Sequence, residues 1–193
     1  MVILKNVLFA SPMWREPLQE GEEPAYPGGL ITQICHHWIQ ASHEQAQFEG
    51  YNSLRLPDAF SKEQFFDALN THDPILFYGC GHGDEATFTG YMMEELLYAC
   101  LNDEKMKGRI THLLSCLTAN LLGPSIVNKG GLAYEGYKVE FSLYEIFYSE
   151  EFPPYPIDGT EYRLNWIWME PEVLLTNAVL NGKSVEEAYN IAM

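Results

Sequence analysis

The chain has 193 residues, and 27 acidic side chains against 11 basic ones leave a formal charge of −16. Such a balance argues against nucleic acid and anionic membrane surfaces as partners, because phosphate binding depends on clustered Lys and Arg. With 47% hydrophobic and 13% aromatic residues, disorder is excluded and a single domain over residues 1–193 is expected.

Short apolar runs alternate with helical patterns, the mark of an α/β fold with a mainly parallel sheet between helical layers. Val2–Ala10 reads as the first strand. It is broken by Lys5 and Asn6 and followed by no cleavage site, so it is not read as a signal peptide. No apolar run approaches the roughly 20 residues of a membrane span. Ser11–Gly29 carries Pro12, Pro17, Pro24 and Pro27 and is expected to be a long loop at the carboxyl end of a strand.

Leu30–Phe48 is the first expected helix, with Ile31, Ile34, Cys35, Trp38 and Ile39 as its buried stripe and His36, His37 and His43 on or beside its polar face. A strand near Ser53–Leu56 precedes Ser61-x-x-Gln64, a capping box that opens a helix with Phe65, Phe66 and Leu69 inward. Pro74–Tyr78 is a central strand ending in Gly79-Cys-Gly-His-Gly-Asp84. A hairpin at Thr87–Gly90 and a helix over Met93–Leu101 are expected next, then a strand at Ile110–Cys116. Gly131–Phe141 reads as a further strand and Asp158 onward as helical. Ser184-x-x-Glu187 caps a last helix inside which the chain stops, so the native terminus is expected further on.

The chemistry concentrates at two strand ends. His82 and Cys116 each follow a buried apolar run, and ligands of open α/β sheets sit at that edge. The stretch between them is long enough for a right-handed crossover, which would make the two strands parallel neighbours. A thiol and an imidazole at one rim suffice for acyl transfer: the sulfur attacks a carbonyl and the ring carries the proton. Gly81 and Gly83, lacking Cβ, would let the chain turn and aim an N–H at a developing oxyanion, with the Cys116 N–H as second donor. Asp84 and Glu85 beside His82 are candidates for orienting the ring or meeting substrate.

Other readings fit less well. A dinucleotide loop fails because Asp84 stands where the third glycine is needed. Cys80, His82, His112 and Cys116 match no tetrahedral zinc motif, and residues four apart on a strand lie about 13 Å apart. His112 is expected deep in the sheet. With four cysteines and no C-x-x-C, free thiols in a reducing cytoplasm are expected, with Cys80 and Cys100 as core fillers.

Ile75-Leu-Phe-Tyr-Gly-Cys-Gly-His-Gly83 followed by Ile110-Thr-His-Leu-Leu-Ser-Cys116 resembles the caspase-like cysteine peptidases, the group of gingipains, clostripains, legumains and caspases. Gly131-Leu-Ala-Tyr-Glu-Gly-Tyr137 and Asn181-Gly-Lys-Ser-Val-Glu-Glu-Ala188 resemble later segments of the gingipain-like branch, so the likeness runs over about Pro74–Ala188. The resemblance implies a caspase-like α/β/α sandwich, His82 as base or acid, Cys116 as nucleophile, and the Gly83 and Cys116 amides as oxyanion hole. Two departures stand out: Leu-Ser-Cys116-Leu replaces the caspases' Gln-Ala-Cys-x-Gly, and Leu114 stands where clostripain-like enzymes carry Asp.

The expected activity is therefore cofactor-free cleavage of a peptide or protein substrate by a Cys116–His82 dyad. The acidic surface favours a basic residue before the scissile bond, with Glu140 a candidate pocket residue. A catalytically silent caspase-like binding or regulatory module is the alternative. Self-cleavage at Lys105, Lys107 or Arg109, in an expected exposed turn, is a further expectation.

Overall fold

The structure is a computed structural model that describes residues 5–12, 28–140 and 162–192. Its strands are β1 (Asn6–Ala10), β2 (Asn52–Arg55), β3 (Leu76–Cys80), β4 (Thr87–Thr89), β5 (Glu95–Tyr98), β6 (Ile110–Leu114) and β7 (Ala133–Glu135). The helices are α1 (Gly28–Phe48), α2 (Lys62–Thr71), α3 (Leu122–Asn128), α4 (Tyr162–Leu180) and α5 (Val185–Ala192). Residues 13–27, most of the expected Pro-rich loop, lie outside the described residues, as do 2–4, 141 and 158–161 of expected elements.

Five strands form one parallel sheet in the order β2-β1-β3-β6-β7. In-register rows cross it, among them Phe9, Tyr78, His112 and Glu135. Side chains alternate between the two faces. Leu8, Ala10, Phe77 and Leu113 join Phe65 and Leu69 of α2, Leu122 and Ile126 of α3, and Phe88 and Leu97 of the β4–β5 hairpin. Val7, Phe9, Leu76, Tyr78, Cys80 and Leu114 pack instead against Cys35, Trp38 and Ile39 of α1 and Leu180 of α4. Helices therefore cover both faces, as buried parallel strands require. Among the described residues no helix is long and apolar enough to cross a membrane.

Both capping boxes form. Ser61 Oγ accepts from the Gln64 amide at 3.2 Å while Gln64 Oε1 accepts from the Ser61 amide at 2.8 Å. Ser184 and Glu187 reciprocate likewise, at 3.2 and 2.9 Å. Each box satisfies amide groups that an uncapped first turn leaves open.

Three expectations need correction. The helix expected at Met93–Leu101 is instead a 3₁₀ turn, Tyr91–Met93, and strand β5. Leu96 and Leu97 are both fully buried while Glu95 and Tyr98 face solvent, and pairing with Thr87–Thr89 overrides the helical preference of Met-Glu-Glu-Leu-Leu. The strand expected over Gly131–Phe141 shortens to Ala133–Glu135. Two histidines of α1 are also less solvated than expected: His43 meets Ser53 Oγ at 2.6 Å and packs edge-on to Phe9, and His36 contacts Arg55, while the side chain of His37 lies outside what the structure describes.

Candidate active site

β3 and β6 are parallel neighbours, with Cys80 paired to Leu114. The Gly81 amide extends the contact by donating to the Leu114 carbonyl at 3.3 Å. Two residues beyond that last pair stand His82 and Cys116, both half-buried. Carrying the alternation forward puts them on the α1–α4 side of the sheet, with Cys80 and Leu114. Cys116 is also near enough for a charge on it to be felt at Cys80. The other cysteines differ: Cys35 and Cys80 are buried, and Cys100, expected in the core, is exposed on a turn with φ +64°.

The glycines around His82 serve close approach. Neither Gly81 nor Gly83 has positive φ, so left-handed freedom is not what selects them. A Cβ on Gly81 would lie 2.4 Å from the Thr89 carbonyl oxygen. One on Gly83 would lie 2.3 Å from Ser115 Oγ and 2.8 Å from the Thr87 carbonyl oxygen. The turn bearing His82 is thus pressed against both the hairpin and the residue before Cys116.

The His82 carbonyl accepts from the Thr89 amide at 2.9 Å and from Thr89 Oγ1 at 3.0 Å. The Asp84 amide donates to the Thr87 carbonyl at 3.1 Å. The two backbone bonds among these flank the Gly83–Phe88 bridge, making it a non-hydrogen-bonded pair in which the Gly83 N–H points away from β4. Burial pushes the His82 imidazole below its ordinary value, so at neutral pH the ring is uncharged and able to accept a proton.

The chain leaves Cys116 through Leu117 in the left-handed region, φ +60°. Thr118 Oγ1 donates to the Ser115 carbonyl at 3.2 Å across this turn. The segment after β7 runs alongside: the Leu117 amide donates to the Val139 carbonyl at 3.2 Å, and the Ala119 amide to the Tyr137 carbonyl at 3.0 Å. Glu140 follows Val139 directly and is exposed at this edge. Asp84 Oδ1 accepts from the Ala86 and Thr87 amides, each at 2.8 Å, and closes the turn that leads into β4. Glu85 is exposed, and its carbonyl accepts from the Leu121 and Leu122 amides.

Beneath this edge lies a buried polar cluster that sequence reasoning did not assemble. His112, 1% exposed, has Nε2 at 2.6 Å from Glu172 Oε2 and Nδ1 at 3.0 Å from Thr176 Oγ1, and its ring stacks on Tyr78 at 4.3 Å. The other Glu172 oxygen accepts from the Tyr137 hydroxyl. Burial would raise the Glu172 carboxyl, but the His112 imidazole and the hydrogen bonds from His112 and Tyr137 outweigh it and hold the group below its usual value. Glu135, beside His112 in the sheet, is raised by burial. A glutamate within the apolar run of α4, and a histidine within an apolar strand, were the only signals in the chain.

The basic turn lies at the start of β6. Arg109 precedes β6, at the edge opposite Cys116, and its guanidinium bonds the Lys105, Lys107 and Leu69 carbonyls and Asp73. Met106 and Asp103 in the same turn are fully buried. Lys105 and Lys107 are exposed, as expected for this turn, and Arg109 is half-buried. No family model matches the chain and no curated protein matches it. Its function is thus read from this edge of the sheet.

Proposed function

We propose that the protein is a caspase-like cysteine peptidase that hydrolyses peptide bonds with Cys116 as nucleophile and His82 as proton carrier. One observation carries the reading: the two strands preceding these residues are parallel neighbours in a register that brings both to the same rim. In the proposed reaction the thiol proton passes to the neutral imidazole as sulfur bonds the carbonyl carbon. His82 then protonates the departing amine, and water, deprotonated by the same ring, releases the acid and restores the thiol. The Gly83 N–H, turned away from the hairpin, is the proposed oxyanion donor, with the Cys116 amide as its companion. Glu140 is the proposed contact for a basic side chain before the scissile bond.

The test is hydrolysis of fluorogenic peptides that differ only in that residue. Arg and Lys peptides should be cleaved, and Glu140→Gln should narrow their advantage over Asp and Asn peptides. Faster cleavage of the Asp peptide contradicts the basic preference. No turnover of any peptide, with unreactive Cys116, would instead make the fold a binding module.

A further inference from the structure

Three facts converge on the turn that leaves Cys116. Leu117 holds a left-handed conformation that a residue with a branched side chain keeps only when its surroundings impose it. Two bonds that impose it, from the Leu117 and Ala119 amides, end on carbonyls of residues 137–139. In that segment Lys138 and Val139 are exposed, so its anchor is Tyr137, whose hydroxyl donates to Glu172.

Glu172 also holds His112 of β6, the strand that ends two residues before Cys116. One carboxylate on α4 thus grips the strand that leads to the thiol and the segment that braces the turn behind it. A buried carboxylate is costly to keep unless its partners are complete, and a hydrophobic residue would fill an apolar helix face more simply. We propose that Glu172 is a positioning residue for Cys116, acting through Tyr137 on the Leu117 turn and through His112 on β6. The inference rests on the peptidase reading for its consequence, though not for the brace itself.

Tyr137→Phe removes the anchor while keeping the ring, and Glu172→Gln keeps an acceptor for Tyr137. Two readouts separate positioning from stability alone. Amide exchange followed by NMR should be about tenfold or more faster at Leu117 and Ala119 in Tyr137→Phe, and unchanged at Leu8 and Phe77 in the sheet. For peptide hydrolysis, kcat should fall by about tenfold with KM held within about twofold, and Glu172→Gln should lose less. Unchanged exchange at Leu117 overturns the brace. Faster exchange with unaltered kcat overturns positioning. Should the unmutated protein cleave no peptide, the peptidase reading fails, and the exchange experiment still decides the brace, with iodoacetamide alkylation of Cys116 replacing kcat as the second readout.

Discussion

The two faces of the central sheet are built from the same strands and stabilised differently. Towards α2, α3 and the hairpin the contacts are mainly apolar, with Phe77 set between Phe65 at 5.2 Å and Phe88 at 6.2 Å, centroid to centroid. Towards α1 and α4, Val7, Phe9 and Leu76 share the face with Tyr78, His112 and Glu172. The first face is held by buried area and loses stability in proportion to what is removed. The second depends on complete pairing, because removing one partner strands another without water. His82 and Cys116 continue the second face, so the region with the stricter demands is the one that leads to the proposed site.

Substitutions should separate the faces. The largest effect is expected at the rim itself: Cys116→Ala or His82→Ala should lower kcat/KM by about a thousandfold or more while leaving the unfolding midpoint nearly unchanged. On the polar face, Glu172→Ala should cost about 3–5 kcal/mol by urea unfolding, because His112 and Tyr137 lose their shared acceptor. On the apolar face Phe77→Ala should cost a similar amount, about 3–5 kcal/mol. The two are told apart by acid. Glu172 is held below its usual value, so its stabilisation is whole above about pH 4.5 and is lost as pH falls through the lowered folded-state value. That part of the acid slope should persist in Phe77→Ala and vanish in Glu172→Ala.

Smaller effects refine the picture. Gly83→Ala should cost about 1–3 kcal/mol, and Ser115→Ala should recover part of it by removing the oxygen that the new Cβ meets first. Because the Thr87 carbonyl remains in the way, recovery should be incomplete. Ser61→Ala, at the N-cap of α2, should cost about 1 kcal/mol and leave peptide hydrolysis untouched. For pH dependence, the acid limb of kcat/KM should lie below the ordinary imidazole value of about 6.5, because burial holds His82 neutral.

Much of the frame was legible in the sequence because the signals were local. Pro74–Tyr78 is an unbroken apolar run and Ile110–Cys116 a largely apolar one, the composition that a doubly covered parallel strand favours, and Ser61 and Ser184 announce their helices by pairing with a side chain three residues on. What escaped was non-local. Glu95–Tyr98 has helical composition and becomes a strand because Thr87–Thr89 is there to pair with it. The glycines flanking His82 look like turn residues, yet their reason lies across the fold at Thr87, Thr89 and Ser115. Glu172 is sixty residues from His112, and no spacing rule links them. Asp84 stands beside His82 in sequence, yet its Oδ1 is engaged by two amides of its own turn, a local contact that composition does not announce.

The proposed reaction needs His82 and Cys116 to act together at one rim, and covalent labelling mapped by mass spectrometry tests that most directly. Treated with a limiting peptidyl acyloxymethyl ketone bearing Arg, the protein should be modified at Cys116 alone, although Cys100 is the more exposed thiol. The same treatment of His82→Ala should be slower by about a hundredfold or more. Modification shared between Cys100 and Cys116 according to exposure, at a rate indifferent to His82, would contradict the account.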